Sequence, residues 1–241
     1  AVSLVNRGIA ERRLGQDEAA IADYSRAIEL APRLASAYYN RGIARQAQGD
    51  DRSAAEDFGF TIALKPDFAS AYRSRGTVYV RLGYVEYGIA DYSSAIERAP
   101  DDADNYFSRA IAEHKLERYA AAIADYDQGL ELAPKRAGAY NNRAISHEAM
   151  GKYDLARADY QSAIRLDAKF ADAYLNRANL AIHQGHHKAA IEDLDQVLHI
   201  LPDYVEGYEK RARLNVTIGN DRAAVADYSS VLAKQPNRAG V

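Results

Sequence analysis

Large and small residues recur along the chain at a spacing of 34 residues, and the pattern inside each block is helical. In seven blocks counted from Ala1, position 8 is always glycine or alanine. Position 20 is also glycine or alanine, and position 24 is tyrosine, phenylalanine or leucine. Positions 4 and 8 share one helical face, as do positions 20, 24 and 27, because three or four residues separate them. Each block therefore predicts two amphipathic helices, near positions 1 to 14 and 18 to 31.

Glycine and proline mark the ends of these helices. Six blocks have glycine at position 15, where a helix C-terminus needs a residue that tolerates positive φ, and Glu117 is the exception. Proline at position 32 disfavours helical backbone in the residue before it, so the second helix ends there. One such hairpin cannot bury its own apolar face and must stack on its neighbours. The prolines are Pro32, Pro66, Pro100, Pro134, Pro202 and Pro236, and Ala168 takes this place in the remaining block.

This pattern resembles the tetratricopeptide repeat (TPR). The resemblance covers residues 1–238 and includes the large residue at position 4 and the small residue at position 27. It implies an all-α fold, a right-handed α-α superhelix (TPR solenoid) of seven helix-turn-helix repeats in a single array. The predicted repeats are 1–34, 35–68, 69–102, 103–136, 137–170, 171–204 and 205–238, and residues 239–241 would begin a truncated eighth repeat.

Two charged positions depart from the TPR pattern in every block. Position 7, usually leucine in such repeats, is always arginine, and position 23 is always aspartate. We expect each arginine to pair with an aspartate between helices, either within a repeat or between neighbouring repeats. The alternative is a row of arginines that binds anions, which the matched carboxylates disfavour.

Composition excludes several classes of function. The chain of 241 residues has a net charge of −3, so it lacks the basic balance typical of nucleic-acid binding. No apolar run approaches the roughly 20 residues of a membrane span. Without cysteine there is no thiolate nucleophile and no Cys-ligated zinc. The sequence is compatible with either a cytoplasmic or a periplasmic location of the protein.

Candidate chemistry is sparse. No motif of a phosphate loop, nucleophile elbow or catalytic triad is present, so we predict a protein that is not an enzyme and has no cofactor. His183, His186 and His187 are close in sequence, but Gly185 places a turn between them. We therefore expect a surface turn there rather than a metal site.

The resemblance implies a binding surface on the first helix of each repeat. In TPR proteins this side lines a concave face that binds extended peptides or partner helices. Asparagine at position 6 offers a donor and an acceptor to a peptide backbone, and apolar residues at positions 5 and 9 would form a floor. The alternatives are that the asparagines brace a neighbouring helix and that the isoleucines are helix–helix contacts. The predicted contact residues are Asn6, Tyr39, Asn40, Ile43, Arg73, Phe107, Ile111, Asn141, Asn142, Leu175 and Asn176.

Charge changes sign along the same surface. Arg12 and Arg73 come early, and acidic residues come late, so we expect a basic ligand segment near the C-terminal repeats. Some TPR proteins hold a C-terminal carboxylate with a set of lysines and asparagines, and no three consecutive blocks supply that set. The acidic residues are Asp104, Glu148, Asp172, Glu206 and Glu209.

We predict a scaffold that binds a peptide or helical segment of a partner protein. One alternative is end-to-end self-association, because Tyr228, Val231 and Leu232 of the last helix would be left without cover. An uncovered last helix would mean either that this end meets another molecule or that the chain continues in a longer protein. A further alternative is the recognition region of a larger, multidomain enzyme.

Overall fold

The structure, a computed structural model, describes residues 1–235, and Pro236 and the predicted truncated repeat at 239–241 lie outside the described residues. Within residues 1–235 there are fourteen α-helices and no strand, which confirms the all-α prediction. The helices are α1 (Val2–Arg13), α2 (Asp17–Leu30), α3 (Ala35–Ala47), α4 (Asp51–Leu64), α5 (Ala69–Arg81), α6 (Val85–Arg98), α7 (Ala103–Lys115), α8 (Tyr119–Leu132), α9 (Ala137–Ala149), α10 (Tyr153–Leu166), α11 (Ala171–His183), α12 (His187–Ile200), α13 (Val205–Thr217) and α14 (Asp221–Lys234).

Each predicted block folds as one hairpin of an odd-numbered and an even-numbered helix. The chain forms two compact units, Ala1–Pro134 with α1 to α8 and Lys135–Val241 with α9 to α14. We call them unit 1 and unit 2. That the repeats form one continuous array stays a prediction.

A ring on the second helix of a hairpin fills the space beside a small residue on the first. Tyr24 and Phe58 are fully buried. A Cβ added to Gly8 would lie 2.6 Å from Cε1 of Tyr24, and one added to Gly42 would lie 2.8 Å from Cε1 of Phe58. The small residue at position 8 is therefore a steric requirement of close helix packing.

Apolar residues at position 10 join one hairpin to the preceding one. Val78 on α5 packs against the buried Phe58 of α4, and Leu214 on α13 packs against the buried Leu194 of α12. Both of these inserted residues are themselves buried. Within each unit the hairpins thus bury one another's apolar surface, as repeat stacking requires.

The turn inside each hairpin follows the glycine prediction. In the first repeat, the N–H of Gln16 donates to the carbonyl oxygen of Glu11 at 2.9 Å, which closes a six-residue Schellman-type helix end. Gly15 between them has a φ of 76°, and the other five glycines at this position also have positive φ. Glu117 adopts the same conformation with a φ of 60°, although its Cβ disfavours it.

Every repeat contains the same bidentate ion pair. In each repeat, Nε and Nη2 of the arginine at position 7 donate to the two carboxylate oxygens of the aspartate at position 23, over 2.5 to 3.0 Å. The predicted pairing is confirmed, and it joins the two helices of one hairpin. The pairs are Arg7–Asp23, Arg41–Asp57, Arg75–Asp91, Arg109–Asp125, Arg143–Asp159, Arg177–Asp193 and Arg211–Asp227.

The remaining guanidinium nitrogen, Nη1, links neighbouring hairpins. In at least three repeats it donates to the side chain at position 25 of the preceding repeat, so one arginine fixes both the hairpin and its stacking register. The three bonds are Arg41 to Oγ of Ser25 at 3.0 Å, Arg109 to Oγ of Ser93 at 2.9 Å, and Arg211 to Oδ1 of Asp195 at 2.6 Å.

The environment of the pair differs between repeats. Asp57 is fully buried and receives a second arginine, because Nη1 of Arg45 donates to Oδ2 of Asp57 at 2.8 Å. By contrast, 64% of the Arg7 side chain is exposed in the first repeat. Hydrogen bonds from Arg7 lower the pKa of Asp23, so this pair stabilises the fold above the ordinary aspartate pKa and loses that contribution as the pH falls.

We expect Glu117→Gly to stabilise the protein by about 1 kcal/mol, because glycine adopts positive φ without a Cβ clash. Urea unfolding followed by circular dichroism measures the change. Glu117→Ala is the matched control and should show no such gain, since alanine keeps the Cβ. Equal stabilities of the glycine and alanine variants would contradict a strained turn.

We expect Asp57→Asn to destabilise the protein by about 2–4 kcal/mol, because it leaves two partly buried guanidinium groups without their carboxylate. Asp23→Asn serves as the control and should have a much smaller effect, since its arginine faces solvent. The free energy of unfolding in urea is the measurement. Similar losses in the two variants would show that burial does not set the strength of the pair.

Candidate functional site

The side predicted to bind a partner comprises positions 2, 5, 6, 9 and 12 of the odd-numbered helices, and positions 2, 6 and 9 carry its most open residues. We call this surface the odd-helix face, and describe it separately in each unit. In unit 1 it carries Asn6, which is exposed, and Ile111, whose side chain is 50% exposed. Ile43 is half-buried there and packs on a cluster that includes Phe58. The isoleucines are thus partly helix contacts and partly open surface.

Two predicted contact residues are corrected by their burial. Phe107 is 7% exposed, its ring lying against Gly129 of the same hairpin and 6.3 Å from the ring of Tyr126. Asn141 is 5% exposed. Both stand at position 5, which points between helices rather than towards a partner. Gly129 is the sequence signal for this, because it is the only glycine at position 27 and makes room for the ring.

The other predicted residues at position 5 also contact neighbouring helices. The ring of Tyr39 lies 4.8 Å from that of Phe68, between centroids, and is half-buried. Leu175 is half-buried and packs on the core of its own repeat. Nη1 of Arg73 donates to Oδ2 of Asp102 at 2.5 Å and also contacts the buried Asn105. These residues have structural partners, and only their solvent-facing edges are open.

The asparagines at position 6 remain at the surface but are partly engaged. Nδ2 of Asn40 donates to the carbonyl oxygen of Ser36 at 2.7 Å. Nδ2 of Asn176 donates to Oδ1 of Asn141 at 3.0 Å, and Nδ2 of Asn141 donates to Oδ1 of Asn142 at 3.3 Å. Asn176 on α11 therefore braces the neighbouring helix α9, which is one of the two roles considered for these asparagines. The opposite groups, Nδ2 of Asn142 and Oδ1 of Asn176, make no hydrogen bond within the described residues.

Acidic groups lie at the start of two odd-numbered helices in unit 2. Asp172 on α11 and Glu206 on α13 are both exposed. Burial raises the pKa of Tyr204, and the negative charges of Glu206 and Asp172 raise it further. Glu148 is engaged differently, because it accepts a hydrogen bond from the hydroxyl of Tyr160 at 2.9 Å.

The last described helix, α14, has a mixed surface. Tyr228 is 40% exposed and Leu232 is 46% exposed, as predicted, whereas Val231 is only 6% exposed. The prediction for Val231 was wrong, because position 27 faces the partner helix of its own hairpin. End-to-end self-association stays a prediction.

Other site types find little support in residues 1–235. His183, His186 and His187 do not form a metal-binding group with other histidines or carboxylates in that range. None of the fourteen described helices has the length and apolarity to span a bilayer.

Family models match most of the chain. A TPR-repeat model matches residues 8–49, and a tetratricopeptide-repeat model matches residues 76–137 and 141–205. No curated protein matches the sequence.

Solved structures share the fold at low sequence identity. A TPR protein from Parabacteroides merdae is 20% identical, with a TM-score of 0.74 over 98% of this chain and 93% of that one. A C-terminal part of a TPR protein from Cytophaga hutchinsonii is 14% identical, with a TM-score of 0.79 over 97% and 96%. YrrB, described as a TPR protein with an unusual peptide-binding site, is 21% identical, with a TM-score of 0.63 over 76% and 95%. With its paired helices and these matched repeats, the chain belongs to the tetratricopeptide-repeat family.

Proposed function

We propose that this chain is a protein-interaction scaffold that binds an extended, basic segment of a partner protein along the odd-helix face of unit 2. Membership of the TPR family supports an interaction scaffold without catalytic activity. The likeness to YrrB adds a structural relative in which a peptide-binding site is described.

One observation carries the finer proposal. The odd-helix face of unit 2 combines open amide groups on Asn142 and Asn176 with exposed carboxylates on Asp172 and Glu206. An amide donor and an amide acceptor one repeat apart suit the C=O and N–H groups of an extended backbone. The carboxylates add attraction and register for lysine or arginine side chains of the same segment.

Burial and hydrogen bonding narrow the proposed contact surface. Arg73, Phe107 and Asn141 are engaged or buried, so they do not contribute open binding groups. In unit 1, the exposed Asn6 and Ile111 remain candidate contacts of a partner. Unit 2 is preferred because its open amides and its carboxylates occur together.

We expect the double variant Asp172→Lys and Glu206→Lys to lose at least about tenfold in affinity for a short basic peptide. The peptide is the tightest binder from a lysine-containing library selected on the wild-type chain, and fluorescence anisotropy measures its affinity. In wild type, affinity should also fall with rising salt, because exposed charges are screened.

The control is the double variant Glu18→Lys and Glu131→Lys, which changes net charge equally on exposed even-numbered helices. It should keep wild-type affinity. Equal losses in both double variants would indicate a general charge effect, and unchanged affinity in the first would remove these carboxylates from the site. A library that yields no binder would count against peptide binding as a whole.

A further inference from the structure

A small pocket lies between three helices of unit 2, away from the odd-helix face. Its volume is about 280 Å³, and it is bounded by α10, α11 and α12. Leu180 and Ala181, both buried, supply apolar wall. The polar lining consists of Arg157, Gln161, Arg177, Gln184, His186, Glu192 and Asp193.

Arg177 brings an unused donor into this pocket. Its Nε and Nη2 donate to Asp193 at 2.9 and 2.6 Å, so the Nη1 edge of the guanidinium takes no part in this ion pair. Within residues 1–235, no oxygen accepts a hydrogen bond from this Nη1. The side chain is 25% exposed, so the donor is reachable from solvent but partly sheltered. A partly buried guanidinium edge without an acceptor favours an oxygen ligand.

Three other repeats show which chemistry satisfies this nitrogen. The equivalent Nη1 donates to a serine hydroxyl in two repeats and to the Asp195 carboxylate, at 2.6 Å, in a third. The residue at the acceptor position beside Arg177 is Gln161, which is exposed and makes no hydrogen bond in the described structure. The internal carboxylate found beside Arg211 is therefore replaced beside Arg177 by a glutamine that makes no hydrogen bond to it.

A second cation faces the same space. Nη2 of Arg157 donates to Asp154 at 2.6 Å, but 94% of the Asp154 side chain is exposed, so this ion pair is strongly solvated. Arg157 keeps further N–H groups for a ligand. Glu192 also lines the pocket and opposes an incoming anion, which restricts binding to a group held close to the two arginines.

We propose that this pocket binds a carboxylate group, which takes the place beside Nη1 of Arg177 that Asp195 takes beside Arg211. The site uses positions 7, 21 and 25 of the repeats, not the odd-helix face, so it stands independently of the peptide-binding proposal. The carboxylate comes from an acidic side chain of a polypeptide or from a free organic acid, and both present the same group to the arginine.

The decisive variant is Gln161→Asp, which supplies the internal carboxylate found beside Arg211 while leaving Arg177 and Asp193 intact. The probe is N-acetyl-aspartate amide, followed through the side-chain Nε–H signal of Arg177 by NMR. We expect saturable binding to wild type and at least about tenfold weaker binding to Gln161→Asp. Gln161→Ala should bind as well as wild type, because it adds no acceptor.

Two controls separate this site from general charge effects. N-acetyl-asparagine amide has the same shape without the charge, and should shift the Arg177 signal far less. Gln196→Asp makes the same charge change at an exposed position of α12 outside the pocket, and should keep wild-type binding. Glu192→Gln should tighten binding, because it removes the opposing carboxylate.

Comparing an alanine-flanked aspartate peptide with succinate distinguishes the two sources. Tighter binding of the peptide assigns the pocket to an acidic side chain of a polypeptide, and tighter binding of succinate assigns it to a free acid. The proposal is overturned if the Arg177 signal does not saturate, if the asparagine analogue binds equally, or if Gln161→Asp binds like wild type. None of these results bears on the basic peptide of the odd-helix face.

Discussion

An aspartate carboxylate buried between two helices needs a cation, and the arginine opposite supplies it in every repeat. Because Nε and Nη2 donate to both oxygens of the carboxylate, the pair fixes the rotation and the axial position of one helix relative to the other. Burying the aspartate alone would be costly, so the arrangement tolerates little sliding. Ring-against-glycine contacts, such as that of Phe58 with Gly42, depend on this alignment.

The same guanidinium also decides how a hairpin meets the one before it. Where position 25 carries serine or aspartate, the third nitrogen is satisfied inside the protein, as in Arg41 and Arg211. Where the residue there makes no hydrogen bond, as with Gln161, the nitrogen remains for another molecule. Variation at one position of a repeat thus changes a stacking contact into a candidate binding site.

The two candidate sites differ in how they follow from the repeat. The odd-helix face arises because each first helix buries only part of its circumference, which leaves positions such as those of Asn142 and Asp172 towards solvent. The pocket at Arg177 arises where glutamine stands at position 25 of the preceding repeat. A surface repeated along a unit suits an extended segment, whereas one pocket suits one functional group.

Much of the fold could be read from the sequence, because local rules decide it. Helical periodicity, the glycine turns and the matched arginine and aspartate positions depend on spacing along the chain, and each predicted the observed hairpin. Even Glu117 adopts the glycine conformation, since the helix ends around it require that turn. Repetition along the chain strengthened each of these signals.

Which side chains stay open was decided only by the tertiary structure. Phe107 looked like a binding residue, but Gly129 on the facing helix leaves a space that its ring fills. Gly88 stands where the other repeats have alanine, because Val80 and the carbonyl oxygen of Gly76 occupy the room for a Cβ. Exposure and spare hydrogen-bonding capacity depend on the particular neighbours that packing brings together, and helical spacing along the chain does not specify those neighbours.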